Sequence, residues 1–514
     1  MNIKNFYGKL ISFAQNPKYV FLLALAIAAL CTLCYTLFLT DIYRDTAHVY
    51  AQHVREFARG NWAEGIANQV PMLNITVAGL FAFLGLEPVK ALCLTAGLFF
   101  LATCFPLRKL LERYLSPTAA AWGCMLFVCA PKMIRFGCAP LLESSRIFFM
   151  IAAILYFLRS AENPKWKNAV LFGISASLTA ASRGEGIVLS TALLLGLPVY
   201  AAVFCRPTAW KKQLAAWCIA MICAVAAVSP FCAMNYLRNG YFVPDNRLSI
   251  LPVLLTAPAK SSAAAPAGKE AVGKAASPAP QQNYSVHQQQ QLKEKIPHNF
   301  SSFIRGGYEL YWILSLLGAV MIFWKKQWKN DYLLFAGIAL LYFIFYMLTV
   351  AAYRYYLFLI PLFMVFTVTG AKVLYDLARK YLPGRLQLLG VALCAVLAIV
   401  QICNGLSRAF SGKGKDFIEA GRWIEEYNKK HFPERRLKLY SPMLSEVAYW
   451  SKAYPTDGVN GTIHDPATFT DFDLAAVHRK KSCGLEKRSD LERIPDTPHS
   501  QNIWIFKLKK QEKK

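Results

Sequence analysis

Apolar runs of about 20 residues, the length a helix needs to cross the hydrocarbon core of a bilayer, recur along most of this chain. Inside lipid every backbone N–H and C=O must be paired within the protein, so such runs are helices. They lie at 19–40, 88–106, 117–131, 146–159, 168–182, 186–204, 213–233, 308–324, 331–350, 355–375 and 386–404. The expected fold is an all-α polytopic membrane bundle of about 11 transmembrane helices. Only 17% of the 514 residues are charged and 55% are hydrophobic, which sets the chain apart from a soluble one of this size. The first run is too long for the apolar region of a signal peptide and no A-x-A site follows it, so it reads as an uncleaved anchor.

The net charge of +27 does not point to nucleic acid. A nucleic-acid-binding chain gathers its basic residues on one soluble face. Here they form short clusters between apolar runs: Arg108/Lys109/Arg113, Arg159/Lys165/Lys167, Arg206/Lys211/Lys212, Lys325/Lys326/Lys329 and Arg379/Lys380/Arg385. With a cytoplasmic N-terminus all five fall on the cytoplasmic side, as basic topology signals do. That parity requires the apolar stretch 72–86 to lie as a helix in the outer interface, because it is too short to span comfortably. The expected placement is multi-pass in the inner (plasma) membrane, with the C-terminus periplasmic.

Residues 1–404 read as a transmembrane module. It includes a first outer loop, 41–87, with interfacial helices, and an outer loop, 235–307. Within the latter, 257–291 is rich in Ala, Pro, Lys and Gln and reads as a mobile loop. Residues 405–514 read as a small extracytoplasmic α/β domain. Phe417, Ala420, Ile424 and Tyr427 recur at helical spacing, whereas Leu437/Leu439 and Ile503/Ile505 alternate like strands. Most of the 14 cysteines sit inside apolar runs as small apolar residues. Cys138 and Cys483 are the two that could face outside.

Four polar patches interrupt the apolar pattern near outer span ends. Asp41 and Asp45 follow the first run; they either cap an interfacial helix or meet a lipid-borne substrate. Lys132 and Arg135 lie on the side where positive residues are disfavoured. Either Glu143 or an anionic ligand compensates them, unless Glu143 simply pairs with Arg146 at i,i+3. Arg183 and Glu185 break two apolar runs, as a functional pair or as a solvated turn. Arg354, set among Tyr353, Tyr355 and Tyr356, either forks onto a phosphate or snorkels from an aromatic belt.

The order of these patches resembles the GT-C glycosyltransferase superfamily, above all its family 39 protein O-mannosyltransferase and aminoarabinose-transferase-like members. The residues that carry the resemblance are Arg44-Asp45-Thr-Ala-His48-Val-Tyr50, Ala58-Arg-Gly60-Asn-Trp62 and Pro71-Met-Leu-Asn. They continue with Pro131, Glu143, the turn Arg183-Gly184-Glu185-Gly186, and Arg354-Tyr355…Pro361. The layout spans most of residues 19–380. Two positions depart from the family pattern: Asp45-Thr46 stands where Asp-Glu is frequent, and Val70-Pro71 where Pro-Pro is frequent.

The resemblance implies sugar transfer from a polyprenyl-phosphate donor to a lipid, glycan or protein acceptor outside the cytoplasm, with inversion. It implies Asp45 as general base, Asp41 being a rival, and Glu143 as a second catalytic-site carboxylate that orients the acceptor or holds Arg146. Substrate contacts would come from Arg44, His48, Lys132, Arg135, Arg183, Glu185, Arg354 and Tyr355. No cofactor is expected, and no metal: His48 and His53, i,i+5 on one helix, do not share a face. Two other readings stand beside this one. A multi-pass transporter or lipid flippase would place polar pairs at mid-span; a noncatalytic scaffold would only display the C-terminal domain.

Overall fold

The structure, a computed structural model, describes residues 12–43, 45–62, 71–205, 210–239, 292–347, 352–381, 383–412, 414–434, 437–441, 445–452, 454–455, 472–478, 485, 488–494 and 503–508. Arg44 and the low-complexity stretch 257–291 lie outside the described residues, as does Cys483.

A helix occupies each of the apolar runs. Several begin with proline at the first turn, where its missing N–H costs nothing. Pro17 follows Asn16, whose side chain accepts from Lys18 N at 3.0 Å. Pro88 follows Glu87, whose carboxylate accepts from Val89 N at 3.2 Å and Lys90 N at 3.1 Å. Pro17–Phe38, Pro88–Leu111, Glu143–Glu162, Gly186–Cys205 and Trp210–Met234 are long and apolar enough to cross a membrane. Three further pairs pass only as bent spans: Pro117–Cys129 with Pro131–Gly137 (64°), Ile296–Gly306 with Glu309–Trp324 (78°), and Tyr353–Leu362 with Met364–Tyr381 (62°). The first bend falls at Ala130, held extended before Pro131, as residues preceding proline are. Met72–Phe83 is a 12-residue apolar helix, shorter than a span, and packs on Ala51–Ala58 and Pro88–Leu111. The chain is a multi-pass membrane protein with leucines such as Leu22, Leu30, Leu33 and Leu37 on its outer surface.

Successive helices alternate between two ends of the bundle. At the far end Arg113 holds Glu162 at 2.5 Å, and Asp331 accepts from the Tyr114 hydroxyl at 2.6 Å and the Tyr200 hydroxyl at 2.7 Å. Lys329 donates to the Arg113 carbonyl at 2.8 Å. The cytoplasm-assigned basic clusters at 108–113 and 325–329 therefore do share one end. The near end carries Asp45, Glu143, Arg183 and Arg354.

The C-terminal part carries a five-stranded sheet in the order β2-β1-β3-β5-β4. Its strands are β1 (Lys438–Tyr440), β2 (Tyr454–Pro455), β3 (Leu474–His478), β4 (Leu491–Arg493) and β5 (Ile503–Leu508). β2, β1 and β3 run parallel; β5 is antiparallel to both β3 and β4. One face buries Leu437, Leu439, Leu474, Ile503 and Ile505 against Ala420 and Ile424 of the helix Lys415–His431. The expected helical period and strand alternation of this region are thus both present. Cys138 is buried, its Sγ 3.9 Å from Thr32 Oγ1 in the first helix.

Inside the bundle, Glu309–Trp324 and Met364–Tyr381 touch backbone to backbone. A Cβ on Gly318 would come 2.0 Å from the Phe366 carbonyl oxygen, and one on Gly370 would come 2.0 Å from that of Leu314. Small residues at such crossings let apolar helices gain dispersion contacts where lipid offers no hydrophobic drive. Gly370→Ala should therefore lower stability by about 1–3 kcal/mol through overpacking, read as a lower thermal-unfolding midpoint in detergent. Gly390→Ala, whose Cβ would meet nothing within 4 Å, should leave the midpoint unchanged or raise it.

Candidate functional site

Four separate stretches of chain bring ionisable side chains together at the near end. Asp45 precedes a π turn, Thr46–Tyr50, whose Thr46 hydroxyl donates to the Pro140 carbonyl at 2.7 Å. Short π segments put a local bulge into a helix and are frequent at functional sites. Glu143 and Arg146 open the helix Glu143–Glu162. Arg183 and Glu185 form the turn between Trp166–Ser182 and Gly186–Tyr200. Arg354 sits in the short 3-10 turn Tyr353–Tyr356. Gly306 packs so closely on that turn that a Cβ there would clash with Tyr356 and the Tyr353 carbonyl.

These side chains form one continuous row of alternating charge. Asp45 accepts from Arg354 Nη2. Arg354 Nε lies 3.6 Å from Glu143 Oε1, which also accepts from Arg183 Nη1 at 3.1 Å. Arg183 Nε donates to Glu185 Oε1 at 2.6 Å, and the same oxygen meets Arg146 Nη1 at 3.1 Å. The row runs inward from solvent: the Asp45 side chain is 45% exposed, that of Glu143 1%, that of Arg146 0%. The Tyr355 ring lies 4.4 Å from the Arg183 guanidinium and 5.3 Å from that of Arg354, so the two cations flank one aromatic side chain. Glu143 Oε2 is buried and accepts no hydrogen bond from the described residues.

Such a row can hold an anion on its guanidiniums and take a proton on its outermost carboxylate. Among the described residues no three His, Cys, Asp or Glu side chains gather as metal ligands would.

No protein-family model matches the sequence, and no curated protein matches it. Solved structures do match. The ArnT structure from Cupriavidus metallidurans in its apo state superposes with a TM-score of 0.60 at 14% identity, covering 94% of this chain and 97% of that one. The same protein bound to undecaprenyl phosphate gives 0.61 at 12% identity, with the same coverage. The chain has the ArnT fold. The likeness extends over both the helical bundle and the C-terminal part, so the GT-C-like architecture expected from the sequence is the one present.

Within this ArnT fold the expected site residues divide. Asp45, Glu143, Arg183, Glu185, Arg354 and Tyr355 meet in the row. The local Glu143–Arg146 pair does not form: Glu143 turns to Arg183 and Arg354, and Arg146 to Glu185. Arg183 and Glu185 are not a solvated pair either, because both are largely buried. Lys132 is compensated by neither Glu143 nor a row member. It pairs with Glu309 at 3.0 Å, donates to the Arg305 carbonyl, and lies 5.4 Å from the Tyr308 ring. Arg135 is exposed and stands beside Tyr43 and Tyr353, outside the row. His48 lies in the π turn; its side chain is outside the described residues.

Asp41 is tied elsewhere. Its Oδ1 accepts from Arg408 Nη2 at 3.1 Å, its carbonyl accepts from Arg408 Nε at 3.1 Å, and that guanidinium lies 3.5 Å from the Tyr43 ring centre. On the other side of Asp45, Arg55 donates to the Tyr449 carbonyl at 3.0 Å, and the Tyr449 hydroxyl donates to Glu87. Burial, reinforced by the Glu87 carboxylate, pushes the Tyr449 phenol pKa well up, so the hydroxyl keeps the proton it donates. The loop that carries Asp45 is thus fastened on both flanks to the C-terminal part. Sequence reasoning missed Arg408, Tyr449, Glu309 and Tyr50. Tyr50 lies within electrostatic reach of Arg183, Glu143, Asp45 and Arg354, and burial pushes its phenol pKa up. Only its place in the same short motif as Asp45 could have flagged it. Removing the Arg408 tie should loosen the loop. Arg408→Gln should raise hydrogen–deuterium exchange over residues 41–50 about five- to tenfold, with the helix Glu143–Glu162 unchanged as internal reference.

Proposed function

We propose that the protein is a membrane glycosyltransferase that moves a sugar from a polyprenyl-phosphate donor to a hydroxyl-bearing acceptor on the extracytoplasmic face. The observation that carries this reading is the row itself: a half-exposed carboxylate, Asp45, directly against an arginine, Arg354, that shares Glu143 with a second arginine, Arg183. The ArnT fold supports it, because ArnT has been seen bound to undecaprenyl phosphate, a lipid of the proposed donor class. The basic residues gathered at the far end support a cytoplasmic placement of that end and an outward opening of the site.

The chemistry follows from those groups. The acceptor oxygen attacks the anomeric carbon while the bond from that carbon to the phosphate oxygen breaks. The hydroxyl proton passes to Asp45, and the electron pair of the broken bond leaves on the lipid phosphate. Arg354 and Arg183, whose side chains are 16% and 6% exposed, stabilise that developing charge where water competes weakly. One in-line displacement inverts the anomeric configuration. The free Oε2 of Glu143 accepts a hydrogen bond from an acceptor hydroxyl and so orients it. Lys132, freed from Glu309, would add a third cationic contact to the phosphate. A mid-membrane relay suited to transport is not what these groups build, since they lie at one bundle end.

The test is transfer by the purified full-length protein from a labelled polyprenyl-phosphate sugar. Asp45→Asn should lower turnover about 10²- to 10⁴-fold, as loss of a general base does, with the protein still folded. Asp41→Asn should retain turnover to within about an order of magnitude, because its carboxylate serves the Arg408 tie rather than a proton transfer. Transfer that survives Asp45→Asn rejects the assignment.

A further inference from the structure

Beneath the row lies a charged residue to which no step above gives a task. Arg146 is completely buried. A guanidinium in such surroundings is costly unless each contact is specific, and by default marks a functional element within a membrane bundle. Its contacts are specific. Nη1 donates to Glu185 Oε1 at 3.1 Å and to the Tyr346 hydroxyl at 2.9 Å. Nη2 donates to the Tyr355 backbone carbonyl at 2.7 Å. The Tyr346 hydroxyl in turn donates to Glu185 Oε1 at 3.1 Å. The rings of Phe358 and Tyr342, 5.6 and 5.9 Å from its Cζ, bound the guanidinium.

Those contacts reach the other two cations of the row. Glu185 Oε1 holds Arg183 Nε at 2.6 Å, so Arg146 acts on Arg183 through Glu185. Tyr355 is the residue after Arg354, so the hold on its carbonyl fixes the turn that carries Arg354. Arg183 and Arg354 come from turns far apart in the chain, and Arg146 is bonded toward both. Asn299, itself buried, anchors the same brace from a third helix by donating to the Tyr346 carbonyl at 2.7 Å.

We propose that Arg146 is a positioning residue that fixes the separation and orientation of the Arg183 and Arg354 guanidiniums, so that one lipid phosphate can engage both. The inference rests on the reading above that these two arginines serve the donor phosphate. Only a planar fork can hold a carboxylate with one nitrogen and a carbonyl with another. A lysine ammonium at the same place keeps the charge and loses the span.

Binding to the full-length protein in lipid nanodiscs tests this, with undecaprenyl phosphate and uncharged undecaprenol as probes. Arg146→Lys should weaken undecaprenyl phosphate binding about tenfold, leave undecaprenol binding unchanged, and leave the thermal midpoint within a few degrees of wild type. Tyr346→Phe, which keeps every charge and removes one hydroxyl of the brace, should weaken undecaprenyl phosphate binding about threefold; it decides the matter should Arg146→Lys fail to fold. Wild-type affinity in the folded variants overturns the positioning role while leaving the phosphate reading intact. Equal losses for both probes overturn it as well, since general loosening would act on the lipid tail too. A wild-type protein that binds undecaprenyl phosphate no better than undecaprenol overturns the phosphate reading, and the role of Arg146 with it.

Discussion

A buried carboxylate shared between two guanidiniums holds the near end of this bundle together. Glu143, with 1% of its side chain exposed, would be a heavy liability in an apolar interior on its own. It is tolerated because Arg183 and Arg354 come to the same oxygen from two turns far apart in the chain. Break that arrangement and Arg183 keeps only Glu185, and Arg354 only the half-exposed Asp45. The turn at 183–185, the 3-10 turn at 353–356 and the start of the helix at 143 are therefore constrained by one another.

The same economy of charge extends outward and inward. Outward, Asp45 closes the row at the solvent edge, on a π turn pinned through Thr46 and flanked by ties to Arg408 and Tyr449. The C-terminal part thereby has a structural connection, through Arg408 and the helix Ser445–Ser451, to the loop that carries the proposed base. Inward, Glu185 and Arg146 complete the alternation, so that Asp45, Glu143 and Glu185 balance Arg354, Arg183 and Arg146. A neutral, largely buried row can accept a phosphate only by exchanging partners, which singles out its outermost pair, Asp45 and Arg354.

What could be read from the sequence and what could not separates along physical lines. Periodicity and hydropathy depend on neighbours within one element. The apolar runs, the short helix at Met72–Phe83, the helix through Ala420 and Ile424, and the strands at Leu439 and Ile505 were all legible for that reason. Ion pairing across elements was not. Spacing along the chain favours Glu143 with Arg146, three residues on, yet the fold turns those two side chains to different partners. Lys132 finds Glu309, and Asp41 finds Arg408, each across a separation that no local pattern encodes. The resemblance to GT-C enzymes carried Asp45, Glu143, Arg183, Glu185, Arg354 and Tyr355; it carried nothing about the row's inner end at Arg146, about Arg408 and Tyr449, or about the brace through Tyr346.

The most direct test of the central claim is a cryo-electron-microscopy structure of the full-length protein with undecaprenyl phosphate. Phosphate oxygens are expected within hydrogen-bonding reach of Arg354, about 2.7–2.9 Å from its nitrogens, with the Asp45–Arg354 contact opened to admit them. A phosphate bound instead at the opposite end, beside Arg108 and Lys109, with the contact between Asp45 and Arg354 undisturbed, would contradict that claim.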